Sequence, residues 1–116
     1  MPQNLHPECG EIWLADLNPT RGREQAGRRP VLIISVGAFN QSKAGLVLVI
    51  PLTSAPRGIP WHVQIVPPDG GVKNTSFIMC EALRSISKER LLKRWGAVSL
   101  PMREEVEDRL RILLGL

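Results

Sequence analysis

Arginine is concentrated in one short segment of the sequence, Gly22–Pro30 (GREQAGRRP), which leads directly into an apolar run. A guanidinium group stays protonated and donates two parallel hydrogen bonds to phosphate oxygens. When it is held beside a phosphoryl group, it stabilises the negative charge that develops there during transfer. The segment therefore indicates phosphate binding, or phosphoryl chemistry, at the start of a buried strand.

Arg29 is the best anchored of these arginines, because Pro30 biases it to an extended backbone that continues into a strand at Val31–Ser35. We expect Arg23 and Arg28 to lie on freer backbone. Thr53 supplies a hydroxyl at the end of a second apolar run. From residue types alone, a solvated loop and a turn threonine are the favoured interpretations. At this point the residues predict a basic, β-rich domain that could bind nucleic acid.

The elements that must position these residues are mostly short strands. Apolar or alternating runs bounded by turn residues predict strands at Gly10–Leu17, Val31–Ser35, Leu46–Leu52, Trp61–Val66, Ser76–Cys80, Leu83–Ile86 and Ala97–Val98. The pattern then changes period, and an apolar stripe predicts a helix from Leu100 onward (Met102, Val106, Leu110 and Leu113). Together they predict a mainly β fold with α structure, a strongly bent sheet or small barrel with a C-terminal helix.

Composition sets the broader class. We expect 116 residues to form one domain, 1–116, with an irregular lead-in at 1–9. A net charge of +4 favours an anionic partner. Cys9 and Cys80 lie far apart and the histidines do not cluster, so we expect no metal, no cofactor and no disulfide. No signal peptide or membrane span is evident, which predicts a cytoplasmic protein with no membrane partner.

The order of three motifs resembles the MazF/PemK family of toxin endoribonucleases. The motifs are GEIW at Gly10–Trp13, the arginine segment Gly22–Pro30, and PLTS at Pro51–Ser54, followed by CEALRS. The resemblance implies an SH3-like β-barrel (CcdB/PemK-like) with added helix, acting as a homodimer that a MazE-like antitoxin protein inhibits. It also implies metal-independent cleavage of single-stranded RNA at short sequences.

The same resemblance implies a catalytic pair, Arg29 and Thr53. The ribose 2′-hydroxyl would attack the adjacent phosphate and leave a 2′,3′-cyclic phosphate and a 5′-hydroxyl. Further residues are candidates for RNA binding, namely Arg23, Glu24, Gln25, Arg28, Ser54, His62 and Glu81. A plain loop role is equally open for Glu24, and a half-buried strand position is slightly favoured for His62.

Three points stay open at this stage. Ala82 stands where the family pattern has glutamine, which puts base recognition near Glu81 in question. Trp61 could stack on an unpaired base, although a core or interface role is favoured. The helix stripe could pack on its own barrel, the default, or help to form a dimer groove. The alternative functions are a CcdB-like gyrase-poisoning toxin and a non-catalytic SH3-like nucleic-acid-binding domain.

Overall fold

The computed structural model describes residues 6–18 and 27–116. Within them lie seven strands: β1 Glu11–Asp16, β2 Arg28–Ile33, β3 Leu46–Thr53, β4 His62–Ile65, β5 Ser76–Met79, β6 Arg84–Ser87 and β7 Leu91–Ala97. The two α-helices are α1 Gly37–Asn40 and α2 Leu100–Leu114, and short 3-10 turns occupy Asp69–Gly71, Cys80–Ala82 and Lys88–Arg90.

All strand pairs in the sheet are antiparallel, and β3 is its centre. The order is β4-β5-β3-β2-β1-β7, and β6 also pairs with β3. One edge of β3 bonds to β2, whereas the other edge bonds to β6 over Leu46–Val49 and to β5 at Leu52 and Thr53. In the described part of the chain β4 and β7 end the order without pairing to each other, so the sheet is bent but not closed.

The sheet is buried on both faces, because neighbouring residues of β1, β2 and β3 alternate between two core clusters. One cluster, which includes Ile12, Leu32 and Ile50, packs against α2. The other includes Trp13 and Val31 and is covered by residues of β6 and β7. This double burial explains the unbroken apolar runs of β2 and β3 in the sequence.

Helix α2 follows the prediction closely. Ser99 caps it, since its hydroxyl accepts a hydrogen bond from the backbone N–H of Met102. Val106 is buried, and Met102, Leu110 and Leu113 pack beside it on the first core cluster. The apolar stripe therefore covers the protein's own sheet, as the default interpretation had it.

Two expectations about the strands were wrong. The last strand was expected only at Ala97–Val98, yet β7 begins at Leu91, and its exposed residues 92–94 leave no alternating pattern to recognise. The second strand begins at Arg28, not at Val31, so Arg28 is part of the sheet. The mainly β architecture with a C-terminal helix is confirmed. None of the described helices is long and apolar enough to cross a membrane.

Candidate active site

Arg29 lies inside β2, where the β1–β2 ladder pairs it with the fully buried Ala15. Pro30, which follows it, has no N–H and pairs with Leu14 on the same ladder. The guanidinium group is therefore carried by backbone that the sheet holds, which agrees with the expectation for this residue. Arg28 pairs with Asp16 one position earlier and is exposed.

Thr53 is the last residue of β3 and is only 6% exposed. The β2–β3 register pairs Val31 with Pro51, and continuing it by two residues places Arg29 across from Thr53. The Thr53 Oγ1 accepts a hydrogen bond of 3.2 Å from the backbone N–H of Ala55. Because that contact uses the oxygen as an acceptor, the hydroxyl proton stays available to a ligand.

Arg29 and Thr53 line one cleft of about 400 Å³. The rest of its lining comes from strands β2, β3, β5 and β7 and from the segments that follow β3 and precede β5; these residues are Arg28, Pro30, Leu52, Ser54, Lys73, Asn74, Ser76 and Trp95. Of all the described lining residues, Arg28, Arg29 and Lys73 are cationic, and none is acidic. A cleft with guanidinium, ammonium and hydroxyl groups, and with no carboxylate in its described lining, is suited to an anion such as a phosphate.

Four residues of the cleft lining were not predicted from the sequence, namely Lys73, Asn74, Ser76 and Trp95. Lys73 and Asn74 belong to the segment before β5, Ser76 is the first residue of β5, and Trp95 belongs to β7. The ammonium of Lys73 lies 5.0 Å from the centroid of the Trp95 ring. Lys73 and Trp95 come into contact because β7 packs against the turn Asp69–Gly71. No local sequence motif predicts this packing.

His62 and Glu81 form a pair of their own and do not line this cleft. The Nε2 atom of His62 lies 2.7 Å from Glu81 Oε2, and the histidine side chain is 4% exposed against 37% for the glutamate. A carboxylate only accepts, so Nε2–H is the donor. Nδ1 is buried without a hydrogen-bond partner among the described residues. The predicted RNA contacts of these two residues stay a prediction.

Neither cysteine is placed for nucleophilic chemistry. Burial first, and then the nearby Glu81 carboxylate, raise the pKa of the Cys80 thiol to about 11. Burial also raises the pKa of the Cys9 thiol. Both therefore remain protonated near neutral pH, whereas the nucleophilic form is the thiolate.

Three predicted RNA-binding residues, Arg23, Glu24 and Gln25, lie outside the described residues. Across the described ranges, no group of three or more histidine, cysteine, aspartate or glutamate side chains could hold a metal ion.

Comparison with known proteins places this geometry in a family. The model of the family described as "PemK-like, MazF-like toxin of type II toxin-antitoxin system" matches residues 8–114. Endoribonuclease PemK of Escherichia coli is 40% identical over 109 residues, which cover 92% of this chain and 81% of PemK.

Solved structures of MazF proteins have the same fold. The crystal structure of MazF (Form-I) from Deinococcus radiodurans superposes with a TM-score of 0.86 at 30% identity, covering 97% of this chain and 100% of that one. The MazE-MazF structure (Form-II) from the same organism gives a TM-score of 0.78 at 26% identity, over 97% and 99% of the two chains. The chain therefore belongs to the PemK-like, MazF-like family of toxins of type II toxin–antitoxin systems, as its motifs predicted.

Proposed function

We propose that this protein is a toxin endoribonuclease that cleaves single-stranded RNA at short sequences, with Arg29 and Thr53 as its catalytic pair. The observation that carries the proposal is the β2–β3 register, which brings these two residues to one cationic cleft. Family membership and the endoribonuclease activity named for PemK of Escherichia coli support the same reaction class.

The reaction uses a nucleophile that the substrate itself supplies. The 2′-hydroxyl oxygen of one ribose attacks the adjacent phosphorus and loses its proton, while the bond from phosphorus to the 5′-oxygen breaks. The leaving oxygen takes up a proton, so the products are a 2′,3′-cyclic phosphate and a 5′-hydroxyl. Arg29 stabilises the charge on the phosphorane, and Thr53 donates a hydrogen bond from its hydroxyl group to a non-bridging oxygen.

Neighbouring residues would hold the RNA. Arg28 and Ser54 flank the catalytic pair on the cleft wall, where they can bind the adjoining phosphates. Arg23, Glu24 and Gln25 are assigned to the same task from the family motif alone. His62 and Glu81 remain candidates for contacts beyond the cleft.

The protein would act as a homodimer in the cytoplasm and would be inhibited by a MazE-like antitoxin. The solved MazE-MazF complex of the relative from Deinococcus radiodurans supports the partner class. The surface also suits an acidic partner segment, since the chain carries a net charge of +4. A gyrase poison or a simple binding domain would have no need for an arginine and a buried threonine hydroxyl meeting at one cleft.

The test is cleavage of a long, mixed-sequence RNA in EDTA by the wild type and by Arg29→Ala. We expect discrete cuts with 5′-hydroxyl and 2′,3′-cyclic phosphate ends from the wild type, and none from the variant. Circular dichroism and gel filtration verify that the variant is folded and dimeric. Equal cleavage by the two proteins would refute the site. No cleavage by folded, antitoxin-free wild type would favour a binding domain or a gyrase poison.

A further inference from the structure

We infer that Trp95 and Lys73 form a nucleobase subsite beside the scissile phosphate, in which Trp95 stacks on an unpaired base after Lys73 moves off its ring. This inference rests on the proposed function and adds a specificity-determining residue to it. It assigns the aromatic contact to Trp95 and not to Trp61, which is absent from the described cleft lining.

The position of the Trp95 ring is suited to stacking on a base. Its ring is partly buried against the core cluster of Ile12, Leu32 and Ile50, and it also lines the cleft that holds Arg29 and Thr53. An indole fixed on one side by apolar packing and open on the other to a cationic cleft is the arrangement that binds an unpaired base next to its phosphate. The described lining of the cleft contains no other aromatic side chain.

The loop opposite Trp95 is held firmly in place. The backbone of Gly71 is so close to β7 that a Cβ there would lie 2.3 Å from the Trp95 carbonyl oxygen. Asp69, in the same turn, accepts hydrogen bonds from the backbone N–H and the hydroxyl of Ser99 at 2.7 and 2.8 Å. The turn is thus tied both to β7 and to the start of α2, and it fixes where Lys73 and Asn74 emerge.

Lys73 covers the ring in the absence of RNA. An exposed cation–π contact of this kind strengthens an interaction only about twofold to fivefold. Stacking of a base on an aromatic ring is worth about fivefold to a hundredfold or more. A base therefore displaces the ammonium, which is then free to bind a neighbouring phosphate. Asn74 lines the same cleft, where its amide can read the edge of the stacked base.

The experiment compares Trp95→Leu, Trp95→Phe and the matched control Trp61→Leu. Cleavage of the mixed-sequence RNA is followed under single-turnover conditions, and the cut sites are sequenced. We expect Trp95→Leu to raise the enzyme concentration needed for half-maximal rate about tenfold or more and to relax the base preference at one position next to the cut. Trp95→Phe keeps an aromatic face and should restore most of both. Trp61→Leu should match the wild type.

A second measurement guards against a folding defect, because Trp95 also packs on the core. Thermal unfolding reports whether Trp95→Leu is native at the assay temperature, and Lys73→Gln tests the same subsite without altering the core. We expect Lys73→Gln to lower RNA affinity severalfold while leaving unfolding unchanged.

The outcomes separate the two proposals. If the wild type does not cleave RNA, the proposed function fails and the subsite falls with it. If the wild type cleaves and folded Trp95→Leu cleaves with the same concentration dependence and the same base preference, the subsite is refuted while the function stands. An effect of Trp61→Leu equal to that of Trp95→Leu would also overturn the assignment.

Discussion

Arg29 and Thr53 line one cleft, and the β2–β3 register, continued by two residues beyond its last pair Val31–Pro51, sets them across from each other. The β1–β2 ladder holds Arg29 and the β3–β5 ladder holds Thr53, so both residues are carried by strands of the sheet. The proposed reaction requires such preorganisation, because donors that need not rearrange stabilise the charge of the transition state.

Removal of the Thr53 hydroxyl should therefore impair catalysis far more than folding. Thr53→Val keeps the shape of the buried side chain but cannot donate a hydrogen bond, and we expect its single-turnover rate to fall about 100-fold or more. Thr53→Ser retains the hydroxyl and should stay within about tenfold of the wild type. Equal rates for Thr53→Val and the wild type on the same RNA would exclude the hydroxyl from the reaction.

The salt dependence of RNA binding should report the cationic cleft. For single strands, log K falls with log salt concentration by about 0.7 per phosphate neutralised. Arg28→Gln should lower the slope by about that amount, since Arg28 lines the cleft. Arg111→Gln is the control, because Arg111 is exposed on α2 and pairs with Asp108. Fluorescence anisotropy from 50 to 300 mM salt measures the slope for both variants. An unchanged slope for Arg28→Gln would show that Arg28 does not neutralise an RNA phosphate.

The contact between His62 and Glu81 predicts a stability effect. Glu81→Ala leaves the Nε2–H of a side chain that is 4% exposed without its acceptor, which should cost about 1–2 kcal/mol of unfolding free energy. Glu81→Gln keeps an acceptor oxygen and should cost less. Urea unfolding near neutral pH measures both variants. A Glu81→Ala protein as stable as the wild type would show that the pair contributes nothing to the fold.

The ion pair between Glu11 of β1 and Arg94 of β7 should make the stability of the protein depend on pH. Burial alone would raise the pKa of its carboxyl group, but hydrogen bonds from Arg94, Trp13 and the Glu8 backbone N–H outweigh burial and hold the pKa below its ordinary value. A pKa lowered by folding means that the ionised carboxylate stabilises the protein above the unfolded pKa of about 4.3. This stabilisation is lost as the pH falls through the lower folded pKa.

Glu11→Gln should accordingly lower the unfolding free energy by about 1 kcal/mol at pH 7, and the difference from the wild type should shrink below about pH 4. The comparison variant is Glu107→Gln, whose partner Arg103 and carboxylate are both more than one-third exposed, and it should change stability by less than about 0.5 kcal/mol. Urea unfolding from pH 3 to 7 supplies the data. A Glu11→Gln difference that grows on acidification would contradict the stated direction of the pKa.

The predicted half of the candidate site, Arg29 and Thr53, rests on the family resemblance together with local signals. Arg29 precedes a proline and Thr53 ends an apolar run, and both features are visible without knowing the fold. Trp95 and Lys73 were not predicted, because edge strand β7 exposes consecutive residues and shows no period of two. Their contact arises from tertiary packing between distant segments. Sequence periodicity cannot report such packing.

Gly71 is the residue on which this tertiary packing depends. Its φ is +75°, and an added Cβ would lie 2.3 Å from the Trp95 carbonyl oxygen, so Gly71→Ala suffers both backbone strain and a clash with backbone atoms. Gly45 is a matched control, since its φ is +68° and a Cβ there meets nothing within 4 Å. Gly45→Ala should cost about 1–2 kcal/mol of unfolding free energy from strain alone.

Gly71→Ala should cost at least about 1–3 kcal/mol more than Gly45→Ala, because the turn must move away from β7. That movement shifts Lys73 and Asn74 out of the cleft lining, so the variant should also bind RNA more weakly than Gly45→Ala at a temperature where both are folded. Urea unfolding and anisotropy give the two quantities. If the two alanine variants lost equal stability and bound RNA equally well, the turn would not position this wall of the cleft.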